Sequence, residues 1–527
     1  MLHNIKKTAF ILPIFCGIAG FVLKADNFKV VAQSGCNYTV GNGEQFTTLG
    51  EALSQPGVSW AGKTVCIRNN KTYGKSGISV GGTANSPLTI KSHPQNSGRP
   101  EFRNNDAYSG ETQDDAALTV AANHVVVEGI EIAKSPGVGI RVGTSHVRLE
   151  NVVAHHTCNS GIKINKTNVL LQDVTVDGCE IYMATLAGSS ACTSDSARDS
   201  VSEQLHVRDA SDVIVQNCRI HNSNSVRGGT IGLHQAHHVT VRNNEVYDAE
   251  GNMSHLDQTH DILITNNVFY DTCTEQNRSN GFYKLDEKPD QLPLSTNITI
   301  KNNLIVGAKG GITVGNCKEE RVSAALCKLN NWEIANNTVV GIMEDHALKL
   351  TAHTGASTDV DIHHNIFHRT GANSNKKTDL NQLGNVVSFA NNIWEFKENP
   401  VASDQVIDGL ANVFQSGLNP ETCVTSPLNV QNYRVKSQYA GIGADVSTLG
   451  VQSETPPITP GPTSTPSPSN TPGTSPTSPD EPEDWDLNNN GVVNLYDFNI
   501  FIRRILNGNQ DWSNVSQFIE AFRAESE

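Results

Sequence analysis

Val241-Arg-Asn-Asn-Glu-Val246, Ile264-Thr-Asn-Asn-Val-Phe269, Ile300-Lys-Asn-Asn-Leu-Ile305 and Ile334-Ala-Asn-Asn-Thr-Val339 are four copies of one phrase along the middle of the chain. Looser copies are Val147-Arg-Leu-Glu-Asn-Val152, Leu170-Leu-Gln-Asp-Val174, Val215-Gln-Asn-Cys-Arg-Ile220, Ile362-His-His-Asn-Ile-Phe367 and Phe389-Ala-Asn-Asn-Ile-Trp394. With the first Asn-equivalent as marker (Gly129, Asn151, Asp173, Asn217, Asn243, Asn266, Asn302, Asn336, His364, Asn391), the intervals are 22, 22, 44, 26, 23, 36, 34, 28 and 27 residues. About two dozen residues make one coil of three short strands and three turns, stacked on its neighbours in parallel register. The 44-residue interval reads as a double step that hides one coil. The 36 and 34 read as single coils carrying insertions at 286–296 and 317–327. Paired Asn suits a turn, because Asn tolerates left-handed backbone and bonds to the Asn above it. A leucine-rich repeat lacks its Leu pattern here, and a propeller blade needs about 40 residues.

Composition agrees with a turn-rich β protein: Gly stands at 43 and charged residues at 18%. The net charge of −15 without a basic run argues against a nucleic-acid partner. Lys6 and Lys7 precede a short apolar run, 9–23, broken by Pro13 and Gly17. Residues 1–32 are therefore expected to be an export signal or an N-terminal anchor, and the chain to be secreted or surface-attached. Of 11 cysteines, Cys16 lies in that run, which leaves an even number for disulfides. The nearest pairs in sequence are Cys36–Cys66, Cys179–Cys192 and Cys317–Cys327.

Phe46-Thr-Thr-Leu-Gly-Glu-Ala-Leu53 reads as a short amphipathic helix, and Gly62-Lys-Thr-Val-Cys-Ile67 as a first strand. With these, with Asn70-Lys-Thr-Tyr73, Gly82-Thr-Ala-Asn-Ser-Pro87 and Leu88-Thr-Ile-Lys91, and with a closing segment from Asn432-Tyr-Arg-Val to Gly441-Ile-Gly-Ala-Asp, the sequence resembles the pectate-lyase-like polysaccharide lyases. The resemblance spans roughly residues 40–450 and implies an all-β, right-handed, single-stranded parallel β-helix over 33–451. It implies less about activity, since that fold also carries glycosidases, epimerases and proteins without a known reaction.

Residues 452–484 are dominated by Pro, Thr and Ser, the composition of an extended spacer. Beyond it, Asp486-Leu-Asn-Asn-Asn-Gly-Val-Val-Asn-Leu-Tyr-Asp497 has the layout of a 12-residue calcium loop. Asp486, Asn488 and Asn490 offer side-chain oxygens at positions 1, 3 and 5, and Gly491 supplies the sharp turn. Val492 gives a carbonyl, Asn494 stands at position 9, and Asp497 closes the loop where an EF-hand has Glu. Residues 485–527 resemble a small α-helical dockerin module with one intact repeat. Ca²⁺ is the expected cofactor, and a cohesin-type scaffold or cell-wall partner is the corresponding expectation.

A second phrase, Gly-apolar-x-apolar-x, precedes each Asn turn, and strand alternation places its x positions outside. One outward column reads Arg141, Lys163, His206, Gly232, His255, Lys284, Thr313, Lys349. The adjoining column reads Gly143, Asn165, Arg208, His234, Asp257, Asp286, Gly315, Thr351. A uronate lyase needs cations or calcium to neutralise the sugar carboxylate, and a base to take the adjacent proton. Lys284 or His234 is the expected base and Arg208 the carboxylate clamp. His206, His255, Lys163 and Lys349 are expected to contact substrate, and Asp257 with Asp286 to ligate calcium. The leading expectation is a monomeric, secreted enzyme cleaving an acidic polysaccharide by β-elimination. The alternatives are a non-catalytic glycan-binding surface protein and a glycoside hydrolase using two carboxylates. Outward positions of such a solenoid are polar even without a function, so residue type alone does not choose.

Overall fold

The computed structural model describes residues 35–107, 114–185, 192, 203–223, 229–249, 251–272, 280–284, 296–314, 329–343, 346–350, 358–369, 378–379, 387–395, 403–407, 410–417, 424 and 426–450. The chain divides into two units, Met1–Gly461 and Pro462–Glu527. The second unit, the calcium loop in it and the N-terminal segment 1–32 lie outside the described residues. No described helix is long and apolar enough to cross a membrane.

The first unit is a parallel β solenoid. Its described strands form three sheets of 13, 12 and 11 strands, each strand hydrogen-bonded to its equivalent one coil away. The amphipathic segment near residue 50 is an α-helix over Leu49–Leu53, opened by a capping box of Thr48 and Glu51. It buries Leu49, Ala52 and Leu53 at the mouth of the first coils.

The Asn phrase does two jobs. Its first residue sits in left-handed backbone at Gly129, Asn151, Asn217, Asn243, Asn266, Asn302, Asn336, His364 and Asn391. Its second residue points inward as a ladder of Asn244, Asn267, Asn303, Asn337, Asn365 and Asn392, all fully buried. Each amide carbonyl accepts from both the backbone N–H and the side-chain N–H₂ of the Asn before it, as Asn303 Oδ1 does from Asn267 at 3.0 Å for each bond. The ladder starts at the Cys218 N–H, which donates to Asn244 Oδ1, and ends on Asp404 Oδ1. Buried amides are thus satisfied by one another, as burial requires.

Register corrects one step of the repeat. Val147 pairs with Val174, so the equivalent of Asn151 is Gly178, also left-handed, and not Asp173. Asp173 belongs with Asp212, His238, Asp261, Asn297 and Asn331, left-handed residues at the second or third position of the equivalent strands. From Cys179, beside Gly178, to its neighbour Cys218 on the next coil is 39 residues, so the expected double step is one coil with an insertion. The two intervals of 36 and 34 are single coils as expected, since Ile262 pairs with Ile298 and Ile298 with Trp332.

Disulfides join Cys36–Cys66, Cys158–Cys192 and Cys179–Cys218. The first agrees with the sequence expectation. Cys192 pairs instead with Cys158, and Cys179 with its stacked equivalent one coil on. Cys317 and Cys327 lie outside the described residues.

The closing segment does not plug the end of the solenoid. It straps the outer face of the second sheet, where Val268, Leu304, Val306, Val340, Ile366 and Ile393 pack with Val413, Phe414, Leu428, Val430, Tyr433 and Ile442. Gly443 N–H donates to the His364 carbonyl, Asp445 N–H to Asn302 Oδ1 and Gly450 N–H to the Asn266 carbonyl, so the strap runs back against the coil order. That cover explains why the strapped strands of this sheet, such as Leu304–Val306 and Thr338–Ile342, are buried on both faces.

Candidate functional site

The site lies on the third sheet, where Ile162–Ile164, Leu205–Arg208, Gly229–His234 and Asn252–Asp257 are successive parallel neighbours. Ile162, Ile164, Leu205, Val207, Ile231 and Leu233 point into the core, fully buried. The alternate residues point outward. Register stacks Arg141, Lys163, His206, Gly232 and His255 in one column and Arg208, His234 and Asp257 in the next.

The columns converge on a residue from neither of them. Glu203, just ahead of Leu205–Arg208, is fully buried. Its Oε2 accepts from His206 Nδ1 at 2.5 Å and its Oε1 from His234 Nε2 at 2.9 Å, with His255 Nδ1 3.4 Å from Oε1. His234 Nδ1 in turn faces Asp257 Oδ2 at 3.6 Å. The His206 and His234 rings stack with centroids 4.9 Å apart, and His255 meets His234 edge-on. Gly232 makes the arrangement possible, because a Cβ there would stand 2.3 Å from Glu203 Cγ.

Electrostatics separate the two imidazoles. Burial alone would push the Glu203 carboxyl up, but the facing His234 and His206 rings hold it well below the usual carboxylate range. Burial pulls His234 down, yet Glu203 and Asp257 together raise it to about 9. Burial prevails at His206, which falls below the ordinary histidine value despite Glu203. These directions favour a carboxylate at Glu203 and an imidazolium at His234, and they oppose protonation of His206. A neutral His206 that donates from Nδ1 has its lone pair on Nε2, a buried atom with no hydrogen-bond partner among the described residues.

Beside the cluster is an open cleft of about 610 Å³, lined by Asp114, Lys163, Asn165, His206, Arg208 and Gln235 among others. Lys163 Nζ donates to Asp114 Oδ1 at 2.6 Å. Burial pushes the Asp114 carboxyl up, but the Lys163 ammonium holds it below its ordinary value. Arg208 keeps a longer ion pair to Asp209, 3.7 Å, with its side chain 44% exposed.

Of the residues expected from sequence, Lys163, His206 and Arg208 line one cleft, and His234, His255 and Asp257 gather behind it. Lys349 shares the outward column but stands beyond Thr313, away from the cleft. Lys284 is displaced from its expected column. Tyr283 takes that register opposite His255 and Thr313, while Lys284 pairs with Leu256 and Val314, a position whose neighbours are core. Asp286 and the loop residues Asp486, Asn488, Asn490, Val492, Asn494 and Asp497 lie outside the described residues. Sequence reasoning misses Glu203 and Asp114, which fall in no repeated column. The donor set behind the cleft is rich in imidazole nitrogen and suits calcium poorly, since calcium takes oxygen ligands.

These features define an all-β solenoid with a buried Glu–His cluster behind a cleft lined by the Lys163–Asp114 and Arg208–Asp209 ion pairs. The family model described as the right-handed beta helix region matches residues 47–200 and 185–323, more than half of the chain, and the chain belongs to that family. A search of curated proteins found no match. Among solved structures, a rhamnogalacturonan lyase is 13% identical, with 77% of this chain and 99% of that chain covered and a TM-score of 0.45. The pectate lyase Pel9A is 12% identical, with 76% and 88% covered and a TM-score of 0.43. PfbA, a surface adhesin of Streptococcus pneumoniae, is 12% identical, with 62% and 86% covered and a TM-score of 0.41. Likeness at this level leaves activity open.

Proposed function

We propose that the chain is a carbohydrate-active β-helix that cleaves a uronate-containing polysaccharide by β-elimination, with His206 as the base. One observation carries this reading. The Glu203 carboxylate fixes the Nδ1–H tautomer of His206, leaving the Nε2 lone pair unpartnered on a ring that lines the cleft.

The chemistry follows from the neighbours. Lys163 and Arg208 line the same cleft and offer cations to a sugar carboxylate. Neutralising that carboxylate makes the adjacent C–H acidic, because the developing negative charge is stabilised where it forms. His206 Nε2 takes the proton, the C–O bond to the leaving sugar breaks, and a C=C bond forms. The imidazolium so produced carries the proton that the leaving oxygen requires. The expected base His234 is replaced in this role by His206, since His234 is already protonated between Glu203 and Asp257.

The test is a panel of uronate polysaccharides, following absorbance of the unsaturated product. Product formed by wild type and lost in His206→Ala supports the reading. No product on any substrate sets elimination aside. A binding-only glycan protein is the second reading, favoured by the near-complete burial of His206, which is 8% exposed. Glycan binding without turnover would establish it.

For residues 485–527 the proposal is a dockerin-like calcium module that tethers the solenoid to a cohesin-type or cell-wall partner outside the cell. Its support is the Asp486–Asp497 spacing, and the three disulfides fit an oxidising compartment. Calcium titration of the full chain, with and without Asp486→Ala and Asp497→Ala, tests the loop.

A further inference from the structure

We propose that Glu203, His206 and His234 form a binding site for a borderline divalent metal ion such as zinc, and that the metal and the free base exclude one another. The second half rests on the elimination reading above; the first half does not.

Each of the three residues offers one ligand atom, these atoms lie within 4.8 Å of one another, and all three side chains are buried. The constellation is held by the fold. His206 and His234 project from adjacent strands whose register fixes Arg208 opposite His234 and His206 opposite Gly232. Glu203 fills the space that Gly232 leaves open. Two imidazoles and a carboxylate match zinc, cobalt or nickel and not calcium or magnesium. His255 Nδ1, 3.4 Å from Glu203 Oε1, stands where a further nitrogen could approach.

A further observation points to a metal. Asp257 Oδ2 faces the outer nitrogen of His234 at 3.6 Å, the carboxylate–histidine relation that orients metal-ligating imidazoles. Nitrogen and oxygen ligands bind zinc at ~2.0–2.2 Å, which sets them roughly 3.3 Å from each other. The Glu203–His206 and Glu203–His234 contacts of 2.5 and 2.9 Å would open by less than about 1 Å.

The exclusion is a matter of tautomers. A metal takes a lone pair on the ring nitrogen facing Glu203, Nδ1 of His206. The single proton of the neutral ring then sits on Nε2, the atom that the elimination needs free. A metal-loaded cluster therefore carries a proton on Nε2, and the base is gone.

The experiment uses the full chain stripped by chelator, titrated with zinc by calorimetry and with cobalt by visible absorption. One high-affinity site is expected, with the intense d–d bands of a nitrogen-containing low-coordinate cobalt site. Glu203→Gln and His234→Ala should each weaken binding by about 10-fold or more while circular dichroism shows an intact fold. Absence of binding in wild type, or binding indifferent to both variants, overturns the site. Should either variant misfold, Gly232→Ala, which displaces Glu203 without removing a ligand, must weaken the titration or the site is overturned. On any polysaccharide that the chain cleaves, zinc should inhibit and chelator restore the rate. Metal binding with an unchanged or raised rate overturns the exclusion and leaves the site standing. A chain that cleaves nothing defeats the elimination reading and the exclusion with it, while the titration still decides the site.

Discussion

A Cβ on Gly232 would lie 2.3 Å from Cγ and 2.4 Å from Cδ of Glu203, so the carboxylate occupies the space left by a missing side chain one coil away. The relationship is specific to this coil, since the same column carries Lys163 and His206 before it and His255 after it. Gly232→Ala should drive Glu203 off His206 and His234 without touching either ring. The expected outcome is an elimination rate lower by about 100-fold, the scale of a lost general base, with the far-ultraviolet spectrum retained. Rate assays and circular dichroism on the same preparation check it.

The Glu203–His234 pair sets a pH dependence for stability in chelator-treated protein. His234 is raised from 6.5 to about 9, so its contribution is fully present below about 6.5 and lost as pH rises through about 9. Glu203 is lowered from 4.5, so its contribution is present above about 4.5 and lost as pH falls through the lowered value. The titratable groups facing the pair are His206, His255 and Asp257. Urea midpoints of wild type minus Glu203→Gln should therefore be largest between about pH 4.5 and 6.5 and shrink toward about pH 9. A difference flat across that range would contradict the assignment of charges.

Asn303 is a rung of the buried ladder. Its Oδ1 accepts both Asn267 donors, and its Nδ2 donates to the carbonyls of Ile264 and Lys301 and to Asn337 Oδ1. Asn303→Ala leaves the Asn267 backbone N–H buried and unpaired, costing about 1–3 kcal/mol, while Asn267 Nδ2 keeps the carbonyls of Val241 and Thr265. Denaturant midpoints should fall by an amount equivalent to roughly 1–3 kcal/mol, whereas exposed Lys301→Ala on the neighbouring strand end should shift them little.

The strap is a separate apolar cluster anchored by Phe414 and Tyr433, whose rings meet edge-on at 5.7 Å. Phe414→Ala should cost about 3–5 kcal/mol locally. Because the strap packs outside the solenoid, limited proteolysis should cut near residues 413–450 first while the inner core stays resistant. Simultaneous loss of both would show that strap and core fold as one unit.

The solenoid is legible in the sequence because its turn needs one residue type at one place. Left-handed backbone recruits Asn, a buried amide recruits another Asn, and the pair repeats wherever a coil closes, as at Asn243–Asn244 and Asn266–Asn267. Where Gly178 serves the turn instead, the phrase vanishes, and Asp173, left-handed for its own reason, mimics the marker. Lys284 is misleading because Phe282-Tyr-Lys-Leu fits the apolar alternation in two registers, and pairing with Ser254 and Ile312 fixes Phe282 inward. His206, His234, His255 and Asp257 are legible as outward positions of repeated strands. Glu203 and Asp114 are not, since one precedes its strand and the other is 49 residues from the lysine it pairs with. Neither carries a signal until the coils are stacked.

The elimination rate of His206→Ala, on a uronate polysaccharide that wild type cleaves, tests the assignment of the base most directly, with glycan binding followed in parallel. The expected result is a loss of at least about 100-fold in rate with binding to the cleft retained. An unchanged rate would contradict the assignment, because the Glu203–His206 pair would then be structural and the base would lie elsewhere.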